Sequence, residues 1–185
     1  MAIRDILLLG DPRLYEVCTP VAREELDELR PAIRDLRDTL LAFRAEHGVG
    51  RAIAAPQIGV MKRLVFLERV SNTTDHNPTG IATPSPLINP VLHDFSEDTI
   101  ELWDDCMSFP NLLVRLRRHA GCAITYRDLD WQERTVRLEG DLSELLQHEC
   151  DHLDGVLAVS RALGPRAFAY RRDHESIPGT STCSE

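Results

Sequence analysis

His148-Glu149-Cys150-Asp151-His152 sets two imidazoles four positions apart, with a glutamate directly after the first. On an α-helix such positions lie one above the other. Both rings can then address one ion while the Glu149 carboxylate stands by as a general base. That grouping suits metal-assisted hydrolysis. Catalytic centres of this type normally take three protein ligands and leave the fourth position to water or substrate, so the chain must supply a third ligand elsewhere. A lone buried histidine is more often a hydrogen-bonded core residue than a ligand, which makes that third ligand decisive.

The pentad has a helix to sit on. Leu142, Leu145, Leu146 and Leu153 recur at helical spacing over residues 141–155, and Gly155 offers a C-terminal stop. Gly10-Asp11-Pro12 marks a turn. From Glu24 to His47, Leu26, Leu29, Ile33, Leu36, Leu40, Leu41 and Phe43 predict a long N-terminal amphipathic helix, ended by Gly48 and Gly50. The tiny side chains of Ala52 to Gly59 let backbones approach closely, and Pro56 excludes helix there. Residues 63–70, 87–92, 112–117, 122–128 and 134–138 are short β-type runs, and Ser71 to Pro86 has loop composition. Strands followed by a late helix define an α+β fold: short antiparallel or mixed sheets packed around a C-terminal metal-binding helix, with a long N-terminal helix. Residues 1–173 are expected to form a single catalytic domain, and the polar, small-residue stretch 174–185 a disordered tail.

With 185 residues the chain can bury one real core. Its net charge of -9, with no basic run, speaks against direct nucleic-acid or membrane binding. Arg115, Arg117 and Arg118, the densest basic group, read as a solvated strand face. The apolar run Ile6 to Leu9 is too short for a signal-peptide core, so a cytoplasmic location is expected. Five cysteines without CxxC spacing fit a reducing compartment rather than a disulfide framework. Cys150 lies about 200° around the helix from each histidine and should pack away from their ion. Cys183 falls in the tail. Cys106, in Glu101-Leu-Trp-Asp-Asp-Cys-Met-Ser-Phe-Pro110, remains the strong candidate for the third ligand.

Three segments together resemble the peptide deformylase family, metal-dependent hydrolases that remove the formyl group from the initiator methionine of new bacterial chains. Gly50-Arg-Ala-Ile-Ala-Ala-Pro-Gln57 is similar to the family's GxGxAAPQ motif, Asp104-Asp-Cys-Met-Ser108 to its EGCLS motif, and Gln147 to Gly155 to its QHExDHLDG motif. Gly10-Asp11-Pro12 and Ile88-Asn89-Pro90 also look like family features, and the likeness spans roughly residues 3 to 160. The resemblance implies that Cys106, His148 and His152 hold one divalent metal, ferrous iron first, with zinc, nickel or cobalt able to take its place. It implies that Glu149 takes a proton from the attacking water and delivers it to the leaving amine. Gln57 and the backbone N–H of Met107 would hydrogen-bond the oxyanion. Gly50, Ala52 and Asp105 would border the substrate, an N-formylated peptide or a smaller N-formyl compound. Transient ribosome association is a further family expectation, although no basic tail supports it.

The match departs at three places. Ala52 stands for the motif's second glycine, with Arg51 before it where an apolar residue is usual. Asp104 shortens a glutamate arm, and Asp105, which replaces the glycine preceding the metal cysteine, either alters the site's field toward substrate or is salt-bridged to a nearby arginine or solvated. These changes leave two alternatives open: a hydrolase acting on a different N-formyl substrate, or a scaffold that only binds. Retention of Glu149 weighs against the second, because binding needs no general base. A peptidase using Glu175 as third ligand is a further rival, though Glu175 lies in the expected tail.

Overall fold

The computed structural model describes residues 2–68 and 81–174. Leu26–His47 forms helix α1, entered through a 3-10 turn at Arg23–Glu25. Gly48 ends it in the left-handed region at φ 75°, donating its N–H to the Arg44 carbonyl. That is the stop expected from a glycine placed after the last apolar position.

Strands β1 (Ala52–Ala54), β2 (Leu64–Leu67) and β3 (Ser85–His93) begin a five-stranded sheet that continues through β6 (Gly121–Arg127) and β7 (Glu133–Glu139), in the order β1-β2-β3-β6-β7. Alternation along these strands feeds two cores. Ile53, Leu64, Phe66 and Ile88 pack with Ile33, Leu36, Leu40 and Phe43 of α1. Ala52, Ala54, Val65, Leu67 and Leu87 pack with Leu142, Leu145, Leu146, Cys150 and Leu153 of helix α2 (Gly140–Leu153). A sheet covered on both faces needs apolar residues at every position, which is why β2 reads as an unbroken Leu-Val-Phe-Leu run.

Strands β4 (Thr99–Asp105), β5 (Leu112–His119) and β8 (Phe168–Tyr170) form a second sheet in that order, closed by the short helix α3 (Arg171–His174). Every pairing between named strands is antiparallel, so of the antiparallel and mixed sheets expected, the antiparallel form is present. Pro90 is accommodated in β3 by a register shift between Ile88 and Val91, next to Asn89 at φ 51°. The Asn89 side chain accepts from the Val21 N–H and donates to the Val21 carbonyl, both at 2.8 Å, tying the entry to α1 onto the sheet.

Ser85 and Pro86, read from composition as loop, open β3, while the remainder of that loop through residue 80 lies outside the described residues. His174, placed at the start of the tail, closes α3, and residues 175–185 also lie outside. Among the described residues no helix is long and apolar enough to cross a membrane.

The end of α2 is held against the N-terminal segment. Gly155 has φ 70°, and a Cβ built on it would stand 2.6 Å from the Tyr15 carbonyl oxygen. Gly155→Ala is expected to cost on the order of 2–3 kcal/mol, read as a lower urea midpoint at unchanged slope.

Candidate metal centre

Helix α2 carries His148 and His152 one turn apart, their rings edge to face with centroids 4.9 Å apart. The turn after β4 brings in Cys106 from the other sheet. Its Sγ lies 3.2 Å from His152 Nε2, which lies 3.2 Å from His148 Nε2. Among the described residues these three donor atoms form a candidate metal group, all within 4.8 Å of one another and all buried. One sulfur and two imidazole nitrogens are a donor set that fits zinc, ferrous iron, nickel or cobalt. The His152 Nδ1 atom is buried without a partner. The Ser108 N–H points at the Cys106 sulfur, 3.4 Å away, and the Phe109 N–H donates to the Cys106 carbonyl at 3.0 Å, fixing the turn.

His148 is aimed by charge. Its Nδ1 sits 3.0 Å from Asp104 Oδ1, so Nδ1 carries a proton and Nε2 is the atom turned to Cys106 and His152. Arg118, on β5, reaches Asp104 Oδ2 at 2.7 Å and Asp151 Oδ2 at 2.9 Å, and Arg161 closes on Asp151 at 2.5 Å from the solvent side. Burial opposes ionisation of Asp104, but His148 and Arg118 outweigh it and hold the carboxyl down at about 2. Burial likewise opposes a charged His148, and Asp104 and Cys106 overcome it, raising that ring well above the usual histidine range. His152, buried and facing His148, is pushed well below it. The expectation of a solvated arginine face therefore fails at one residue. Arg115 and Arg117 are exposed and flank Glu101, whereas Arg118 is 3 % exposed and neutralises two buried carboxylates.

Glu149 is 4 % exposed, and its Oε2 has no partner. Burial is the main cause that pushes its carboxyl up to about 7. Gln57 is oriented by the 3-10 turn Ala55–Ile58 after β1: its Oε1 accepts from the Ala54 N–H at 2.9 Å. Its Nε2 therefore turns the other way, to Cys106 Sγ at 3.6 Å and Ser108 Oγ at 3.3 Å. The Met107 N–H has no acceptor among the described residues. The arrangement sets a general base and oriented donors around a buried trio of ligand atoms.

The remaining sequence candidates divide. Gly50, at φ 127°, bends the chain into β1, where its carbonyl accepts from Arg44 Nε at 2.8 Å. Ala52 is an ordinary strand residue, so its methyl carries no backbone strain. Asp105 also has no positive φ; its carboxylate pairs with Arg171 at 2.5 Å and is 45 % exposed. Cys150 packs in the core on the far side of α2, as its angular position requires. Glu175 lies outside the described residues. Sequence reading missed Arg118, Asp151, Arg161 and Glu144. For Arg118 a signal existed, since strand alternation sets residue 118 on the face opposite 115 and 117.

An HExxH helix meeting a cysteine from a separate sheet, beside an ionisable glutamate in a dry site, is the constitution of a metal-dependent hydrolase. A model of the polypeptide deformylase family matches residues 3–167, and the chain belongs to that family. It is 32 % identical over 175 residues to a peptide deformylase from Leptospira biflexa, covering 94 % of this chain and 95 % of the relative. With a peptide deformylase from Parafrankia sp. it shares 41 % identity over 161 residues, 87 % of this chain and 79 % of the relative. The crystal structure of a peptide deformylase from Synechococcus elongatus in complex with actinonin superposes with a TM-score of 0.73 at 29 % identity, over 88 % of this chain and 80 % of that one.

Two outcomes follow from the charges. Arg118→Met strands Asp104 and Asp151 without their counter-charge. It is expected to cost about 3–5 kcal/mol and to weaken metal binding roughly 10- to 100-fold, measured by thermal melting and competitive chelation. In metal-free protein, Glu149 holds its proton to about 7 when folded but to an ordinary 4.5 when unfolded. Its penalty is thus absent at pH 4, grows as pH rises between those values and is complete at pH 8. Glu149→Gln should stabilise metal-free protein by up to about 3 kcal/mol at pH 8 and by little at pH 4.

Proposed function

We propose that this chain removes the formyl group from the N-terminal formyl-methionine of new polypeptides and releases formate. Cys106, His148 and His152 would hold one divalent metal ion, Fe2+ first, with Zn2+, Ni2+ or Co2+ able to occupy the same donors. Such an ion acidifies bound water and polarises a carbonyl. The observation that carries the reading is the buried, unpartnered Glu149 oxygen beside three converging ligand atoms.

The residues of the chain divide the work. Glu149 takes a proton from the attacking water as its oxygen bonds to the formyl carbon. A carboxyl that titrates near 7 can both accept and return a proton at neutral pH. The carbonyl oxygen, now negative, accepts from Gln57 Nε2, whose direction is preset by the Ala54 N–H, and from the Met107 N–H. When the C–N bond breaks, Glu149 delivers its proton to the departing amine, so formate and a free α-amino group leave. Burial of all these groups excludes bulk water and strengthens each charge interaction.

Strand β1 is the terminal strand of its sheet, with β2 on one side only. An extended peptide can pair on the other side and lead its amino terminus toward the ligands. The substrate is made in the cytoplasm, which is where we place the reaction. Contact with the ribosome would be transient, because a chain of net charge -9 offers no polycationic surface to RNA.

Metal-loaded protein is expected to release formate from N-formyl tripeptides. Glu149→Gln should lose at least about 100-fold in kcat while still binding metal, whereas Cys106→Ala should lose the metal itself. Formate assay and elemental analysis of the same preparations check both. Equal rates for wild type and Glu149→Gln would remove Glu149 from the mechanism.

A further inference from the structure

Arg51, absent from the family pattern at its position, has an identifiable partner. Its Nη2 donates to Glu144 Oε1 on α2, and its Nη1 donates to the Asp141 carbonyl at 3.3 Å. Glu144 stands one helical turn, about 5.4 Å, before His148 and therefore on the face that carries the ligands. The pair joins the start of β1 to α2 at the rim of the metal centre.

The rim is more accessible at this pair than toward β4, β5 or the end of α2. Past His152 the helix runs into the Gly155 turn, packed on the Tyr15 carbonyl. Toward β4 and β5 lie Asp104 and Arg118, with side chains 4 % and 2 % exposed. Arg51 and Glu144, at 27 % and 14 %, reach solvent. The charges acting on Glu149 are His148, Asp104, Arg51 and Glu144, so this half-buried pair is electrostatically part of the site. Burial pushes the Glu144 carboxyl up against the pull of Arg51.

A formyl carbon reacting at the ligand atoms would bring the side chain of its residue to this rim. The Cα is two bonds of about 1.4 Å from that carbon, so the side chain would start near the ligands, with Glu144 one helical turn from His148. Arg51 Nε–H has no partner among the described residues and offers a donor to whatever lies there.

Resting on the deformylase reading above, we propose that Arg51 and Glu144 form a polar wall for the side chain of the formylated residue, so that this chain accepts substrates beginning with a hydrogen-bond-accepting side chain, such as a carboxamide, at least as well as methionine. Glutamine and methionine have side chains of similar length and differ in what their ends do, which makes them the discriminating pair. A site that hydrogen-bonds its ligand rejects an analogue lacking the bond more strongly than an apolar pocket rejects an added polar group.

The test compares kcat/KM for formyl-Gln-Ala-Ser and formyl-Met-Ala-Ser in metal-loaded wild type and in the Arg51→Leu/Glu144→Leu double variant. Removing both charges together leaves neither buried alone, so the variant should fold. The ratio of the two substrates is independent of the fraction of active protein. We expect a Gln/Met ratio of about 1 or more in wild type, falling at least ~10-fold in the double variant. Calorimetric binding of the same two peptides to Glu149→Gln protein, with and without the double change, should shift the same way. A ratio unchanged by the double variant overturns the polar wall and leaves the deformylase reading intact. No formate from either peptide overturns that reading instead.

Discussion

The centre depends on a line of alternating charges buried between the second sheet and α2: His148, Asp104, Arg118, Asp151 and Arg161. None of the inner members could be buried alone, because an uncompensated charge in a dry interior costs several kcal/mol. In sequence they make each other possible. Asp104 sets the tautomer and angle of His148, Arg118 makes Asp104 tolerable, and Asp151 makes Arg118 tolerable. The metal face of α2 is thereby locked to the strand that delivers Cys106, and the ligand atoms meet without help from loop flexibility.

Around that line, the two sheets contribute different things. The five-stranded sheet supplies its terminal strand β1 and the turn that carries Gln57, while the three-stranded sheet leads into Cys106. Helix α2 lies against both, burying leucines on one side and presenting histidines and glutamate on the other. Gln57 and His148 thus each hold a fixed partner, the Ala54 N–H and Asp104, so these side chains are oriented before any ligand arrives.

Much of this was readable beforehand. The heptad-like leucines of α1, the α2 periodicity and the HExxH spacing are local signals, and local periodicity survives folding. Cys106 was reached by elimination among five cysteines and by motif resemblance, and it stands where the histidines need it. Three strands were not foreseen. β1 and β8 are three residues each, too short for a pattern, and β4 carries Glu101, Asp104 and Asp105, which lower strand propensity. The acidic residues of β4 make sense only beside the arginines of β5 and α3, across sequence separations that no local window spans. Asp105 shows the same limit: a salt bridge was among its readings, but which arginine would make it, Arg171 on α3, no local window shows.

The separation of 46 residues between Cys106 and His152 has a consequence for how the protein matures. Synthesis runs from the N-terminus, so a fragment ending at β5 has the Cys106 sulfur and neither His148 nor His152. The complete trio exists only after both sheets have docked on the helix. The three donor atoms therefore converge only in the assembled fold, and their spacing reports the completed docking of both sheets on α2.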